Sequence, residues 1–337
     1  MQHVARYKIG VIGGGSWGTT VASLVSRNAD TVLWARDPAT VDDINGSHRN
    51  SRYLGDAPLN PKLRATHALS EAVSDVDVVI MGVPSNAFRT VLEQIAASIP
   101  EDAPVISLTK GLERGSRLRM TEIIHEVVPG NPAGVLTGPN LAREIIAGQA
   151  AASVLALDDT RSISWLQPLL NVGLFRVYSN TDYVGCELGG VLKNIIAIAV
   201  GMGDGLGAGD NTRAALITRG LAEMTRLGTA LGGQPETFAG LAGMGDMIAT
   251  CTSPQSRNRH VGIELAKGRA IEDIIESMHM VAEGVKSAPT VIELAREHGI
   301  VLPISEDVYR VVTGESNARG VYRGLLKVTP GAESEPG

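Results

Sequence analysis

The chain has 337 residues, of which 44% are hydrophobic and 20% charged, and its formal net charge at pH 7 is −6. This length predicts two domains, and the composition is typical of a soluble globular protein with a packed α/β core. The acidic balance without a long basic run argues against nucleic-acid binding, and the two cysteines form no CxxC pair that would suggest a disulfide framework.

The beginning of the chain bears on its location in the cell. The first ten residues, MQHVARYKIG, enter a strand-like pattern almost at once, which leaves no room for a secretory signal. The best apolar segment, residues 188–203, is interrupted by Lys193 and falls short of the about 18 uninterrupted apolar residues of a membrane span. We therefore expect a cytoplasmic protein without a membrane span.

Short apolar runs alternate with amphipathic stretches in the first half of the chain. The predicted strands are Tyr7–Ile12, Thr31–Ala35, Val76–Val83, Pro104–Thr109, Gly134–Thr137, Ala151–Leu157 and Leu174–Tyr178. Helical patterns lie between several of them, for instance Ser85–Ala97 and Leu118–Val128. This alternation predicts an α/β fold with a mostly parallel, doubly wound sheet and helices on both faces.

Long segments with helical periodicity follow residue 181, where strand signals become weak. They are Tyr183–Val200, Thr212–Leu231, Arg257–Lys267, Glu283–Glu297 and Glu306–Val312. We therefore predict a dinucleotide-binding α/β domain over residues 1–181 and an all-helical domain over residues 182–328. The polar end of the chain, residues 329–337, is rich in Pro and Gly and predicts a disordered tail.

A glycine-rich turn follows the first predicted strand and opens a helix. Gly13, Gly15 and Gly18 fit the G-x-G-x-x-G spacing, in which the glycines permit a tight turn, the approach of a pyrophosphate and helix–strand contact. The N–H groups and partial positive charge of the helix N-terminus attract phosphates. In the first βα turn of an alternating α/β domain this pattern predicts a dinucleotide site, and the alternative is a structural glycine-rich turn.

The end of the second predicted strand bears on the choice of cofactor. An NAD site usually places a carboxylate there, about 20 residues after the glycine-rich turn, to bind the ribose 2′-hydroxyl. Arg36 lies at this point, where its guanidinium would meet a 2′-phosphate, although Asp37 would serve the hydroxyl if Arg36 turned to solvent. We expect NADPH to be accepted at least as well as NADH.

Lys193 is the one charged residue in the apolar segment 188–203, whose apolar positions recur at roughly helical spacing. A lysine in a largely buried helix must find a partner, extend to water or have a lowered pKa. A lowered pKa would suit a proton donor or acceptor that works near neutral pH. The alternative is a structural lysine, either at the helix surface or paired across a core.

Polar residues also follow two of the predicted strands. Lys110 comes directly after one strand, and Asn140, in the sequence Gly-Pro-Asn, comes after the next. Because ligands gather at the carboxyl ends of parallel strands, both positions would face the same crevice. The alternatives are a solvated loop lysine and an asparagine that caps the helix beginning near Leu141.

Two further groups of polar residues lie in the helical half. Asp246 comes just after a flexible pair of glycines. Ser256, Arg257 and Asn258 begin a helix, where backbone N–H groups, a hydroxyl, an amide and a guanidinium form a plausible anion site. The alternative for this second group is a helix N-cap followed by surface arginines.

Seven short motifs occur in one order and with compatible spacing between about residues 7 and 325. They are Gly-Gly-Gly-Ser-Trp-Gly-Thr at 13–19, Lys-Gly-Leu-Glu at 110–113, Gly-Pro-Asn at 138–140, Glu-Leu-Gly-Gly-Val-Leu-Lys-Asn at 187–194, Asn-Thr-Arg at 211–213, Ala-Gly-Met-Gly-Asp at 242–246 and Ser-Arg-Asn-Arg at 256–259. Together they resemble the bacterial-type NAD(P)-dependent glycerol-3-phosphate dehydrogenase family. The resemblance implies a Rossmann-type domain followed by a helical domain of the 6-phosphogluconate-dehydrogenase-like type.

The resemblance also implies reversible hydride transfer between NADPH or NADH and dihydroxyacetone phosphate, which gives sn-glycerol 3-phosphate for phospholipid synthesis. It implies Lys193 as the catalytic proton donor or acceptor, with Lys110 and Asp246 as its polar neighbours. The implied substrate contacts are Lys110, Gly138, Asn140, Lys193, Asp246, Ser256, Arg257 and Asn258. The implied cofactor contacts are Gly13, Gly15, Ser16, Trp17, Gly18, Arg36, Lys110, Ala142, Arg257, Val281 and Glu283. The chemistry needs no metal ion, and the seven histidines are scattered without ligand-type pairing.

Two positions depart from the family pattern. Asn140 stands where Ser or Thr is expected, and Met244 replaces the more usual Leu, which nearly conserves volume. The alternatives are another dehydrogenase with a helical second domain, of ketopantoate or β-hydroxyacid type, and a nucleotide sensor that has lost catalysis. The Ser256–Arg259 cluster favours a phosphorylated substrate, and the charged Lys193 argues against a sensor. We also expect a homodimer, which is common in such architectures.

Overall fold

The structure is a computed structural model that describes residues 7–278, 282–325 and 332. The chain divides into two compact units, the first formed by Met1–Thr109 and Leu118–Tyr183 and the second by Lys110–Arg117 and Val184–Gly337. The sequence predicted one continuous domain to residue 181 and contained no sign that Lys110–Arg117 packs with the helical unit. The predicted disordered tail lies outside the described residues except for residue 332.

The first unit is built on an eight-stranded sheet. The strands are β1 (Lys8–Ile12), β2 (Asp30–Trp34), β3 (Arg64–Thr66), β4 (Val78–Met81), β5 (Val105–Ser107), β6 (Ala133–Thr137), β7 (Ala151–Leu157) and β8 (Phe175–Asn180). Their order is β3-β2-β1-β4-β5-β6-β7-β8, and β6 and β7 pair antiparallel whereas the other neighbours pair in parallel. The predicted mostly parallel sheet is confirmed. The short strand β3 was not predicted, because its three residues form no apolar run.

Helices cover both faces of this sheet. They are α1 (Ser16–Val25), α2 (Pro38–Ser47), α3 (Ser51–Leu54), α4 (Leu69–Val73), α5 (Ser85–Ile95, followed by a 3₁₀ turn at Ala96–Ser98), α6 (Met120–Val127), α7 (Ala142–Ile146) and α8 (Thr160–Leu170). Along β4, Val78 and Ile80 belong to the apolar cluster that holds α1, α2 and α8, whereas Val79 and Met81 belong to the cluster that holds α5 and α6. Alternate side chains of a strand point to opposite faces, so both faces of the sheet are buried.

The described part of the second unit is helical, as predicted. Its helices are α9 (Tyr183–Gly205), α10 (Asp210–Ala230), α11 (Pro235–Ala239), α12 (Asp246–Thr252), α13 (Arg257–Ala266), α14 (Ile271–Ser277), α15 (Glu283–Glu297), α16 (Pro303–Val312) and α17 (Ala318–Leu325). By length and composition α9 resembles a membrane span, but 94% of its most apolar window is buried inside the protein. It is therefore the core helix of this unit, and other helices pack around its apolar side chains.

Candidate active site

The glycine-rich turn joins β1 to α1. Gly13 has a φ of +128°, and a Cβ on it would lie 2.5 Å from the carbonyl oxygen of Gly82. A Cβ on Gly18 would lie 2.1 Å from the carbonyl oxygen of Gly13, so the fold itself requires both glycines. Gly15 is different, because no described atom outside its chain neighbours lies within 4 Å of the position its Cβ would take. Its backbone therefore faces open space that a ligand can enter.

The first turn of α1 suits an anionic group. Gly15 is its N-cap, and this described helix has neither a side-chain cap nor an acidic residue in its first turn. Its positive end is therefore directed at the open space beside Gly15. The indole Nε1 of Trp17 is buried without a hydrogen-bond partner among the described residues. These features fit the pyrophosphate and adjoining groups of a dinucleotide, at the β1–β4 position where the strand order reverses.

The two charged residues after β2 have different surroundings. Asp37 is the N-cap of α2, where its carboxylate accepts a hydrogen bond from the Ala39 N–H at 3.1 Å. The same carboxylate pairs with Nη1 of Arg52 at 2.9 Å. The side chain of Arg36 is exposed at the carboxyl end of β2. This arrangement favours Arg36 over Asp37 as the group that meets the cofactor ribose.

The turn after β6 carries Gly138 and Asn140. Gly138 has a φ of +128°, which favours glycine, and a Cβ there would lie 3.2 Å from the Cα of Ser153. Nδ2 of Asn140 donates to Oγ of Ser153 at 3.1 Å. Oδ1 of Asn140 and Oγ1 of Thr137 are buried without hydrogen-bond partners among the described residues. The turn therefore retains hydrogen-bonding capacity for a ligand.

The alternative interpretation of Asn140, as the cap of the following helix, does not hold. That helix, α7, begins at Ala142 with Leu141 as its N-cap, and the cap makes no side-chain hydrogen bond. Asn140 thus precedes the cap by one residue and bonds to Ser153 instead. Ala142 itself lies against α1, where its carbonyl oxygen is 3.5 Å from Oγ1 of Thr20.

Lys193, Lys110 and Asp246 come together in the second unit. The carboxylate of Asp246 lies 3.0 Å from Nζ of Lys193 through Oδ1 and 2.6 Å from Nζ of Lys110 through Oδ2. Nζ of Lys193 also donates to Oγ1 of Thr250 at 2.6 Å, and this hydroxyl lies 3.3 Å from Oδ1 of Asp246. The side chain of Asp246 is 2% exposed and that of Lys193 is 8% exposed, so these charges interact out of bulk water.

Burial lowers the pKa of Lys193 to about 8, since desolvation disfavours its ammonium form. The charge of Asp246 opposes this effect, and the charge of Lys110 adds to it. Relative to a lysine in water, the neutral amine is favoured by about 3 kcal/mol, which shows that burial outweighs the ion pair. Lys193 can therefore give up and take up a proton close to neutral pH.

Gly243, one of the two glycines before Asp246, is a packing requirement. Leu241–Gly245 forms a π-helical turn that leads directly into α12, whose first residue is Asp246. A Cβ on Gly243 would lie 2.1 Å from the carbonyl oxygen of Phe238, and one on Gly189 of α9 would lie 2.7 Å from the carbonyl oxygen of Ala242. The sequence suggested a flexible pair, whereas the close approach of backbones explains Gly243 and Gly189; a Cβ on Gly245 would make only ordinary contacts. This approach brings Asp246 against the helix that carries Lys193.

An asparagine pair connects three parts of the second unit. Nδ2 of Asn258 donates to Oδ1 of Asn194 at 2.8 Å, and Oδ1 of Asn258 accepts from the N–H of Gly284 at 3.0 Å. Nδ2 of Asn194 lies 3.4 Å from the carbonyl oxygen of Lys110. Asn194 and Thr250 were not predicted as site residues. A signal for Asn194 was present, since it is the one amide in the apolar segment 188–203.

The start of α13 shows the helix N-cap and the exposed arginine of the alternative interpretation, and the anion site stays a prediction. The hydroxyl of Ser256 accepts a hydrogen bond from the N–H of Arg259 at 3.2 Å, so Ser256 is a helix N-cap. Arg257 is an exposed residue, yet partial desolvation of its guanidinium lowers its pKa, an effect that the charge of Glu283 opposes. Val281, an implied cofactor contact, lies outside the described residues.

Two other kinds of reactive group bear on the chemistry of the described residues: the Cys251 thiol near Lys193 and clusters of possible metal ligands. Burial raises the pKa of the Cys251 thiol to about 12, so it stays neutral near pH 7. Within residues 7–278 and 282–325, no group of three or more His, Cys, Asp or Glu side chains is placed to hold a metal ion.

Family models match nearly the whole chain. The model for the N-terminus of NAD-dependent glycerol-3-phosphate dehydrogenase matches residues 8–163, and the model for its C-terminus matches residues 182–323. The chain belongs to the NAD-dependent glycerol-3-phosphate dehydrogenase family. The family predicted from the seven motifs is thereby confirmed, and with it the assignment to NAD(P)-dependent oxidoreductases.

Individual members of the glycerol-3-phosphate dehydrogenase family agree with this assignment. A glycerol-3-phosphate dehydrogenase [NAD(P)+] of Sphingopyxis alaskensis is 65% identical over 98% of this chain and 100% of its own length. One from Mycobacterium avium is 54% identical over 97% of this chain and 96% of its own. The crystal structure of glycerol-3-phosphate dehydrogenase from Coxiella burnetii superimposes with a TM-score of 0.91 at 37% identity, covering 96% of this chain and 99% of that one.

The alternative dehydrogenase class is related to this family by fold. A ketopantoate reductase from Ralstonia eutropha matches with a TM-score of 0.59 at 16% identity, covering 91% of this chain and 97% of that one. A similarity at this level shows a shared fold. The two-domain architecture predicted from the sequence is therefore confirmed, and the comparisons favour the glycerol-3-phosphate dehydrogenases over the alternative class.

Proposed function

We propose that this protein catalyses the reversible NAD(P)H-dependent reduction of dihydroxyacetone phosphate to sn-glycerol 3-phosphate, the backbone of glycerophospholipids. The observation that carries the proposal is the buried cluster of Lys193, Lys110 and Asp246, in which two ammonium groups face one carboxylate. Its excess positive charge suits an anionic substrate. Its ionisable lysine suits a reaction that adds a proton to a carbonyl oxygen.

The proposed cofactor contacts begin with the glycine-rich turn and Arg36 of the first unit. Gly13, Gly15, Ser16, Trp17 and Gly18 would bind the pyrophosphate region at the start of α1, and Arg36 the ribose end. The other proposed contacts are Lys110, Ala142, Arg257, Val281 and Glu283. When bound, NADPH or NADH would supply the hydride for the carbonyl carbon.

Lys193 would handle the proton of this reaction. In the reductive direction its ammonium donates a hydrogen bond to the carbonyl oxygen, stabilises the negative charge that develops there and then transfers the proton. In the oxidative direction its neutral amine accepts the proton of the hydroxyl. Asp246 and Thr250 hold Nζ of Lys193 in place, and Lys110 adds positive charge beside it.

The phosphate of the substrate would bind at the start of α13. Arg257 and Asn258 are the proposed phosphate contacts, with Ser256 as a further substrate contact that also caps the helix. The free N–H groups of a helix N-terminus and a guanidinium are both suited to a phosphate dianion. Gly138 and Asn140 remain proposed substrate contacts, supported by the unsatisfied Oδ1 of Asn140.

The proposal is tested by following cofactor oxidation by the purified protein with dihydroxyacetone phosphate, in parallel with NADPH and NADH. Substrate-dependent oxidation, with sn-glycerol 3-phosphate as the product, is the expected result. Turnover of ketopantoate or a 2-keto acid in its place would support the alternative dehydrogenase class. Cofactor binding without turnover of any of these substrates would support a sensor.

Replacing Arg36 with aspartate is expected to lower kcat/KM for NADPH by about 10–100-fold and to leave NADH turnover intact or improved. A carboxylate repels the 2′-phosphate and accepts hydrogen bonds from a ribose hydroxyl. The measurement is kcat/KM for both cofactors in wild type and Arg36→Asp. Arg27→Asp is the matched control, because Arg27 is exposed just beyond the far end of α1. A large NADH preference in the wild type, or an unchanged ratio in Arg36→Asp, would contradict the role of Arg36.

We further propose that the enzyme is a cytoplasmic homodimer that associates through its helical unit. Support comes from a groove of about 780 Å³ along α10, whose lining includes Leu221, Ala222 and Ile300. Light scattering should give twice the 35.4 kDa mass of the chain, and Ala222→Glu in the groove should shift it toward one chain. A wild-type mass of one chain would contradict the dimer.

A further inference from the structure

The part-buried carboxylate of Asp204 connects three helices of the second unit. Asp204 lies in the last turn of α9, and its side chain is 9% exposed. Its Oδ1 accepts from Nε and Nη2 of Arg213, in the first turn of α10, at 3.1 and 2.9 Å. Its Oδ2 accepts from Nε of Arg259, near the start of α13, at 2.7 Å. Charge-assisted bonds of this kind are short and directional, so the carboxylate fixes both guanidinium groups.

The anchored residue Arg259 directly follows the proposed phosphate contacts. Arg257 and Asn258 occupy the same first turn of α13, and Asn258 reaches the amide of Asn194 beside Lys193. The position of this turn relative to α9 therefore sets where the phosphate of the substrate lies relative to the proton donor.

The backbones of α9 and α13 are already in close contact. A Cβ on Gly201 of α9 would lie 2.0 Å from the carbonyl oxygen of Arg259, and one on Gly262 of α13 would lie 2.1 Å from the carbonyl oxygen of Ile198. These glycines set the separation of the two helices. A contact between glycine backbones has no interlocking side chains, so it does not by itself oppose rotation of α13 against α9. The directional ion pair between Asp204 and Arg259 does oppose it.

We propose that Asp204 is a positioning residue for substrate binding. Through Arg213 and Arg259 it fixes the first turn of α13 relative to α9, and so fixes the position of the phosphate contacts relative to Lys193. This role accounts for Arg213, the last residue of the Asn-Thr-Arg motif at 211–213, a motif that takes no part in the proposed chemistry. The inference rests on the proposed function, because it takes Arg257 and Asn258 as the phosphate contacts.

The test compares Asp204→Asn with two controls. We expect Asp204→Asn to raise KM for dihydroxyacetone phosphate about tenfold or more, with kcat and KM for NADPH changed far less, because phosphate binding is lost equally in ground and transition states. Asp210→Asn is the matched surface control, since Asp210 pairs with the same Arg213 but is 92% exposed, and it should leave KM unchanged. Asp204→Glu keeps the carboxylate and should restore most of the substrate affinity.

A purely structural role would give a different pattern. Glu223 is a buried carboxylate of this unit, which accepts from the N–H groups of Ile304 and Ser305 at 2.6 and 3.1 Å and caps α16. Glu223→Gln should lower thermal stability without changing KM. If Asp204→Asn loses stability as Glu223→Gln does and keeps the wild-type KM, the positioning role is wrong.

A milder variant covers the case in which Asp204→Asn does not fold. Arg259→Lys keeps the charge but loses the fixed geometry of the guanidinium, and we expect a KM increase of about threefold or more without loss of fold. An unchanged KM in Arg259→Lys would then overturn the inference. Failure of the wild type to reduce dihydroxyacetone phosphate would instead overturn the proposed function, so the two failures are distinguishable.

Discussion

Replacing Lys193 with methionine is expected to lower kcat for the reduction of dihydroxyacetone phosphate by about 10²–10⁴-fold. Methionine fills a similar volume in the core of the second unit but provides neither a proton nor a positive charge for the carbonyl oxygen. Lys193 is not among the proposed cofactor contacts, so the Kd for NADPH should stay close to the wild-type value. Steady-state turnover and a fluorescence titration with NADPH measure the two quantities separately.

The matched control for this variant is Lys267→Met. Lys267 ends α13, its side chain is 59% exposed, and it pairs with Glu264 at 2.7 Å on the surface. The same chemical change there should leave kcat and the Kd for NADPH unchanged. Near-normal turnover in Lys193→Met would show that another group supplies the proton.

Replacing Asp246 with asparagine should shift the pH dependence of the reduction toward lower pH. Attraction by Asp246 raises the pKa of Lys193, so its removal leaves a pKa below the wild-type value of about 8. Lys193 must be protonated to act as the donor, and kcat/KM therefore falls above its pKa, about tenfold per pH unit. In Asp246→Asn this fall should begin at a lower pH, and turnover at the wild-type optimum should be strongly reduced.

The same variant should also be less stable, because Lys193 and Lys110 lose the carboxylate that they share. Removing one partner of a buried ion pair typically costs about 3–5 kcal/mol in the free energy of unfolding. Glu223→Gln separates the shift in pH profile from the loss of stability. It also removes a buried carboxylate of the second unit, but one that caps α16 and pairs with neither Lys193 nor Lys110. It should lose stability with a wild-type pH profile. An unshifted profile in Asp246→Asn would contradict the electrostatic role of Asp246.

The parts of the site that could be predicted are those encoded by local sequence. The glycine-rich turn is a single βα connection, so the spacing of Gly13, Gly15 and Gly18 was enough to indicate it. Lys193 stood out because a charge interrupts an apolar helix. In both cases the signal lies within one element and needs no knowledge of how elements pack.

The parts that escaped prediction depend on contacts between distant segments. Thr250 is 57 residues from Lys193 in sequence, so no periodic pattern relates them. Lys110 and Asp246 are 136 residues apart, and only the family resemblance placed them together. A helix cap was the alternative interpretation of Asn140, because its residue type is common at caps, but the structure shows a tertiary bond to Ser153 instead. Asp204 was not singled out from the sequence, because its place in the structure depends on the two arginines that α10 and α13 bring to it.

The central claim, that the Lys193 ammonium supplies the proton to the substrate carbonyl, is tested most directly by one pair of pH profiles. The measurement is kcat/KM for dihydroxyacetone phosphate between about pH 5 and 10, in the wild type and in the residual activity of Lys193→Met. The wild-type value should fall above about pH 8, and this fall should be absent from Lys193→Met. The same alkaline fall in both proteins would assign the ionisation to a different group and contradict the mechanism.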